Sequence, residues 1–240
     1  MLRCFIVPLL QCSRGRRYNG ADMLWVGQFG IADGEAREHT PWVGAFPDPN
    51  PGEEPSDLYL IVEPALPGSE EFCAELAQAI GRVFHQRKAS LTGGILRALR
   101  AAHENLRDWN HKSLKEHRVA AGVSCLALRG REAYLAQVAP ATAVFYRRPS
   151  LRTLEPALPD AAEPLGLYDD FWPDYSRFEL AEGDRVLLLS PPLARSLPAE
   201  ELAAALALPG EEALPALYRQ ARSLPNCGAL LLAALADTPP

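Results

Sequence analysis

Val186-Leu187-Leu188-Leu189 is wholly apolar, with a Gly183-Asp184 turn before it and Ser190-Pro191-Pro192 after it. Four residues are too few for a helix, and proline cannot donate to a sheet ladder. The run therefore reads as a buried strand that stops at the prolines. Leu58-Tyr59-Leu60-Ile61-Val62 has the same character and is closed by Glu63-Pro64, and Ala229–Leu235 is a final apolar strand. From Val119 the pattern is a series of short β runs: Val119–Arg129, Glu132–Val138, Thr142–Arg147 and Leu151–Leu154. Gly130, Ala139-Pro140 and Pro149-Ser150 separate them as an antiparallel meander. Ser176–Leu180 is a further strand. The opening, Leu2 to Leu10 and Met23 to Phe29, predicts two strands joined by the basic turn Ser13-Arg14-Gly15-Arg16-Arg17.

Two amphipathic stretches interrupt the strands. Ser69 is placed to cap a helix whose first turn holds Glu70 and Glu71, and Phe72, Leu76, Ile80, Val83 and Phe84 share one face. A second helix follows Thr92, with Ile95, Leu99, Ala102, Leu106 and Trp109 spaced by threes and fours. Each has one apolar stripe, so each should cover a sheet. Glu200–Leu206 and Glu211–Arg222 are also helical, while Pro156–Asp174 is loop-like. Residues 33–57 contain five prolines and read as a long surface insertion anchored by Trp42, Val43 and Phe46. The order of elements predicts an α+β fold: two packed antiparallel β-sheets flanked by helices on both faces. With no low-complexity linker, residues 1–240 read as a single domain.

Composition narrows the function classes. Apolar residues make up 48% of the chain and charged residues 22%, as in a globular protein with a sizeable core. A net charge of −6 argues against a nucleic-acid-binding surface. The basic residues are 21 Arg against 3 Lys, a skew that reads as codon bias. The five scattered cysteines form no C-x-x-C pair, so reduced thiols in the cytoplasm are expected. The run Cys4–Leu10 is short, contains Pro8 and lacks a small-residue cleavage site. It reads as a strand and not a signal peptide, and no other segment is long enough to span a membrane.

Gly183-Asp184, an apolar run and Ser190-Pro191-Pro192-Leu193 resemble a segment of the metal-dependent type 2C (PPM-type) Ser/Thr protein phosphatases. There the sequence is Gly-Asp, an apolar run, then Ser-Asp-Gly-Leu, and the Asp binds metal. The family's Arg-x-x-Asn-Glu-Asp is matched by Arg17-Tyr18-Asn19-Gly20-Ala21-Asp22, and its Val-Ala-Asp-Gly by Val62-Glu63-Pro64-Ala65. Gly122-Val123-Ser124-Cys125 is similar to its Gly-Thr-Thr strand start. Gln137-Val138-Ala139-Pro140-Ala141-Thr142 stands for Asn-Val-Gly-Asp-Ser-Arg, Pro164-Leu165-Gly166 for Ala-Leu-Gly, and Pro225-Asn226 for Asp-Asn. These six short matches in order, together with the 183–193 segment, imply the phosphatase fold over nearly the whole chain, in a degenerate member of the family. Pro64, Pro140, Pro191 and Pro225 occupy Asp positions, and Asp22 is the only retained ligand-type residue. Two-metal phosphate hydrolysis requires carboxylates that hold two divalent ions, and proline has no donor atom.

The resemblance thus implies a pseudophosphatase: no catalytic residue, no bound metal or cofactor, and a protein-binding or regulatory role. By family analogy its partner is a protein kinase or a phosphoprotein, with neither nucleic acid nor membrane involved. The alternative is an active metal-dependent phosphatase whose site is rebuilt from Asp22, Glu63 and the acids Asp160, Asp169, Asp170 and Asp174. Arg17 is the candidate phosphate-binding residue, against a plain reading as a solvated arginine beside Arg14 and Arg16. Asp22 is either a leftover ligand or a turn residue bonded to backbone. His103, His111 and His117 with Glu104 lack the i, i+4 spacing of a helical zinc pair and read as helix-surface histidines. Cys125 and Cys227 lie in apolar β runs and read as inert packing. Thr92-Gly93-Gly94 is a helix start, not a phosphate loop. Trp42 and Phe171-Trp172-Pro173 are either partner anchors or caps on the sandwich edge.

Overall fold

The protein is described here from a computed structural model that covers residues 11–18, 22–37, 40–50, 55–86, 90–156 and 163–235, with side chains from residue 24 onward. Twelve strands and five α-helices follow in the order β1 (Gln11–Tyr18), β2 (Asp22–Ala32), β3 (Glu35–Arg37), β4 (Val43–Phe46), β5 (Ser56–Pro64), α1 (Glu70–His85), α2 (Leu91–Lys112), β6 (Ala121–Arg129), β7 (Glu132–Val138), β8 (Thr142–Arg147), β9 (Ser150–Leu154), β10 (Asp174–Glu179), β11 (Arg185–Leu189), α3 (Pro191–Ser196), α4 (Ala199–Ala207), α5 (Gly210–Ala221) and β12 (Cys227–Ala234). A seven-stranded sheet runs β1-β2-β12-β11-β8-β9, with β3 on the end of β2, and a five-stranded sheet runs β10-β7-β6-β5-β4. The pairings are antiparallel throughout.

The apolar runs are apolar at every position because both faces of the central strands are covered. In β11, Val186 and Leu188 point between the sheets, while Leu187 and Leu189 point to the layer under α3, α4 and α5. β5 divides likewise: Tyr59 and Ile61 lie between the sheets, and Leu58, Leu60 and Val62 lie under α1 and α2. A side chain such as Leu contributes about 1.5–3 kcal/mol when fully buried, so three stacked apolar layers hold the chain together. The expected α+β sandwich with helices on both faces is the observed architecture, with α1 and α2 paired over the five-stranded sheet.

Local departures have physical causes. The predicted strand Leu2 to Leu10 lies outside the described residues. The supposed basic turn 13–17 is instead part of β1, where Arg14 pairs with Trp25 and Arg17 with Met23. The stretch 33–57 does not stand outside the sheets. It supplies β3 and the edge strand β4, with Val43 opposite Ile61 and the Phe46 ring seated against Gly81 of α1. Its prolines at 47, 49 and 55 fall after the strand, where no ladder hydrogen bond is lost. Ser69 does not cap α1: it has helical backbone angles, and its Oγ accepts the Ala120 N–H at 3.0 Å. α2 begins earlier than expected, with Ser90 as its cap accepting from Gly93 N–H at 3.2 Å. Pro191 and Pro192 open a short helix, because the first helical positions need no N–H donor. His103 is buried and is not a surface histidine. No helix among the described residues is long and apolar enough to cross a membrane.

Gly122 permits the closest backbone approach at one end of the five-stranded sheet. A Cβ there would lie 2.0 Å from the Pro140 carbonyl oxygen and 2.4 Å from its nitrogen, atoms fixed in the main chain. Gly122→Ala is therefore expected to destabilise the fold by about 1–3 kcal/mol, read as a lowered urea midpoint with an unchanged slope. An unchanged midpoint would show that β7 and β6 slide apart freely.

Candidate functional site

The four family positions held by proline lie at one end of the two sheets. Pro64 ends β5 opposite Ala121, and Pro140 follows β7 with its backbone against Gly122, one strand further on. Across the sandwich, β11 and β12 are antiparallel with Leu189 opposite Ala229, so Pro191 and Pro225 come to the same end. Ser190 and Gly228 lock that junction: Ser190 N–H donates to the Gly228 carbonyl and Gly228 N–H donates to Ser190 Oγ, each at 3.0 Å. The sheets converge here on Trp42. A Cβ at Gly228 would lie 3.0 Å from Trp42 Nε1, 3.0 Å from Val43 Cγ2 and 3.2 Å from Ile61 Cδ1. The Trp42 indole and the Val43 and Ile61 side chains thus pack against Gly228, three residues after Pro225.

Arg17 and Asp22 do not join this end. Both lie on the β1–β2 hairpin, where Asp22 pairs with Tyr18, and the next strand places Leu24 opposite Ala234. Pro225 lies two residues before Cys227, which faces Ile31 at the other end of β2. Ten residue steps of strand separate Asp22 from Ala32, about 30 Å. Asp33, Gly34 and Trp42 do enter the junction. Gly34 N–H donates to the Pro225 carbonyl at 2.8 Å, Asp33 N–H to Asn226 Oδ1 at 3.0 Å, and Val62 N–H to the Trp42 carbonyl at 2.9 Å. Counted from Arg37, the Arg-x-x-Asn-Glu-Asp spacing falls on Thr40, Pro41 and Trp42. Arg37 lies 3.6 Å from Asp33 and 3.7 Å from Glu35. Strand register thus puts the β3 turn that carries Arg37, and not the Arg17 hairpin, at this end of the sheets.

Glu63 is a buried carboxylate at the end of β5, paired across to Gly122. It is 7% exposed, and its Oε1 meets no hydrogen-bond partner. Burial pushes its pKa up to about 8. Cys73 of α1 and Cys227 of β12 lie within reach of its charge, and burial first and that charge second push both thiols to about 12. Cys125 is fully buried and pushed up further by desolvation. These thiols are packing groups, not nucleophiles. The other acids proposed for a rebuilt site lie elsewhere. Asp169 pairs with Arg107 on α2 at 3.0 Å. Asp174 faces Gln137 on the edge strand β10, three strands from β5 and so about 14 Å away. Asp160 is outside the described residues. Among the described residues no three His, Cys, Asp or Glu side chains gather to hold a metal ion. The donor set at this junction does not fit a two-metal centre.

A buried acid whose folded pKa lies above its unfolded value binds more protons when folded. Its contribution is fully present below about pH 4.5 and is lost as pH rises toward 8. Wild-type stability should therefore fall by roughly 3 kcal/mol between pH 5 and 7.5, and Glu63→Gln should flatten that slope. Chemical denaturation at four pH values checks this; parallel curves for the two proteins would mean Glu63 is solvated.

No protein-family model matches the chain, and no curated protein matches it. Solved structures do. PppA, described as a key regulatory component of T6SS in Pseudomonas aeruginosa, is 15% identical and superposes with a TM-score of 0.70, over 88% of this chain and 98% of that one. The serine/threonine phosphatase Stp1 from Staphylococcus aureus is 14% identical with a TM-score of 0.71, over 93% and 99%. The catalytic domain of the serine/threonine protein phosphatase PstP, solved with 2 manganese ions, is 14% identical with a TM-score of 0.63, over 94% and 96%. The chain has the two-sheet, helix-flanked fold of the PPM-type serine/threonine phosphatases, at identities that leave the chemistry of its cleft to its own residues.

Proposed function

We propose that the chain is a catalytically silent relative of the type 2C phosphatases, a single-domain pseudophosphatase that serves as a protein-binding or regulatory module. The observation that carries this reading is the convergence of Pro64, Pro140, Pro191 and Pro225 on a junction lined by Trp42. A phosphoryl transfer site must stabilise charge on the transferring oxygens, and neither proline nor indole carbon can do so. A regulatory role is also what the description of PppA gives that protein. By the family resemblance, the partner is a protein kinase or a phosphoprotein in the cytoplasm.

The rival reading, an active enzyme with a rebuilt site, draws its support from the unpartnered oxygen of Glu63. The two separate on metal. Calorimetric titration with manganese and magnesium is expected to show no binding at micromolar to millimolar ion, and aryl phosphate turnover with manganese should match a denatured control. Metal-dependent turnover that disappears in Glu63→Gln establishes the rival.

Phosphate recognition without hydrolysis is compatible with the silent reading, because a guanidinium binds phosphate by charge and paired hydrogen bonds. Arg17, the candidate from sequence, sits on the far hairpin, whereas Arg37 is in β3 opposite Gly30, on the turn whose Gly34 N–H donates to the Pro225 carbonyl. A phosphopeptide is expected to bind more tightly than its unphosphorylated twin at low salt, with the difference lost in Arg37→Ala and kept in Arg17→Ala. Fluorescence anisotropy at two ionic strengths checks it; equal binding of the two peptides makes Arg37 a surface charge.

A further inference from the structure

The segment 163–175, read from sequence as a plain loop, is a strap held along one face of α2. It runs antiparallel to the helix. Leu165 bridges to Ala121, and at the next residue Asn110 Nδ2 donates to the Gly166 carbonyl at 2.8 Å. Gly166 N–H in turn donates to His103 Nδ1 at 3.2 Å. Arg107 then donates to the Asp169 carbonyl at 3.1 Å and pairs with its carboxylate at 3.0 Å. Phe171 stacks on the His103 ring with centroids 4.8 Å apart, and Tyr175 reaches the field of Arg100. Positions 100, 103, 107 and 110 are successive turns of one helix face. Gly166, with φ of +94°, lets the backbone come so close that a Cβ would lie 2.6 Å from Leu106 Cβ.

A strap fixed at so many points has its outward side chains in set positions. Those side chains are unusual for a surface. Trp172 is 78% exposed and Tyr168 is 50% exposed, while their neighbour Phe171 is buried. Of the six large apolar side chains exposed among the described residues, three belong to the strap and its β10 continuation: Tyr168, Trp172 and Tyr175. Exposed aromatics grouped on a held backbone mark a contact surface, because they add area with little side-chain entropy to lose. Tyr168 and Trp172 are flanked along the strap by the acidic residues Glu163, Asp169, Asp170 and Asp174, while Arg107 pairs with Asp169 and Arg100 lies near Tyr175. Lys112, Lys115 and Arg118 follow Asn110 in the chain, past the last of the strap's contacts with α2.

We propose that this strap is a docking surface for an arginine-bearing segment of a partner protein. Charge selects the occupant. Carboxylates beside the aromatics repel phosphate, so nucleic acid and anionic lipid are disfavoured. A cation is drawn both to the carboxylates and to the electron-rich faces of indole and phenol. Arginine fits better than lysine because its planar group stacks on the indole while its edge pairs with a carboxylate such as Asp170. The surface rests on the binding-module reading only in supposing a protein partner. It lies outside the cleft, so the metal and phosphopeptide tests can fail without touching it, and the reverse holds.

The test uses the full chain and a fluorescein-labelled nonapeptide carrying three spaced arginines, with lysine and glutamate versions, followed by anisotropy. Trp172→Ala leaves the net charge unchanged and is expected to weaken arginine-peptide binding about fivefold or more, as is Asp170→Asn. Glu201→Gln, an equal charge change on exposed α4 across the sandwich, should stay within about twofold. The lysine peptide should bind more weakly and the glutamate peptide not at all. Equal losses in Asp170→Asn and Glu201→Gln with none in Trp172→Ala would reduce the effect to bulk charge and overturn the proposal. So would absence of arginine-peptide binding, preferential binding to vesicles containing a quarter phosphatidylserine, or self-association abolished by Trp172→Ala. All three substitutions are at exposed positions, and circular dichroism verifies the fold of each.

Discussion

Everything in this molecule depends on the dry layer between its two sheets. Val186 and Leu188 of β11 and Leu230 and Leu232 of β12 pack there against Tyr59 and Ile61 of β5 and Leu126 and Leu128 of β6. Two sheets with apolar inner faces pack about 10 Å apart and hold their mean strand directions together. That packing fixes which strand ends meet. The end where β5 stops, β11 stops and β12 starts is thereby created by apolar contacts, with no help from a ligand. The helices complete the arrangement by covering the outer faces, so no central strand has a side left to water.

This explains how such a fold stands without a cluster of carboxylates where its strand ends meet. In a working two-metal site, several carboxylates must be held close together, and their mutual repulsion is relieved only by the ions. Proline at the same strand ends removes that repulsion and suits the backbone. Pro191 sits at a first helical turn, where its lack of an N–H costs nothing, and Pro64 closes a strand. The Trp42 indole and the Ser190–Gly228 pair of hydrogen bonds then join the sheets directly. Glu63 is the exception. It remains buried without a full set of partners and is held neutral at ordinary pH by its surroundings.

The strap on α2 shows the opposite economy. Its inward groups are satisfied in detail: Asn110 uses both ends of its amide, accepting from Val119 N–H at 2.8 Å and donating to the Val119 and Gly166 carbonyls. His103, read from sequence as a surface residue, is buried because its ring fills the space between the helix and Phe171, and desolvation lowers its pKa. The outward groups are left to solvent. A backbone ordered at this expense of polar detail presents its aromatic side chains at fixed positions.

Much of this was legible in the sequence. Wholly apolar runs such as 186–189 and 58–62 already required sheets covered on both faces, and the stripes Phe72–Phe84 and Ile95–Trp109 required helices to cover them. Both follow from side-chain periodicity, which is local. The proline positions were legible too, because a missing donor atom is a property of the residue alone. Register and long-range closure were not. Only the pairings of β2 with β12 and β3 show that the Gly34 turn carrying Arg37, and not the Arg17 hairpin, lies at the Pro225 end. Ser69 looked like a cap until folding brought the Ala120 N–H to its hydroxyl from 51 residues away. The 163–175 strap has no periodicity, since its order comes from hydrogen bonds to α2. Residue type settles what each position can bond to; tertiary structure alone decided what it meets, because contacts between distant segments depend on how whole strands and helices stack.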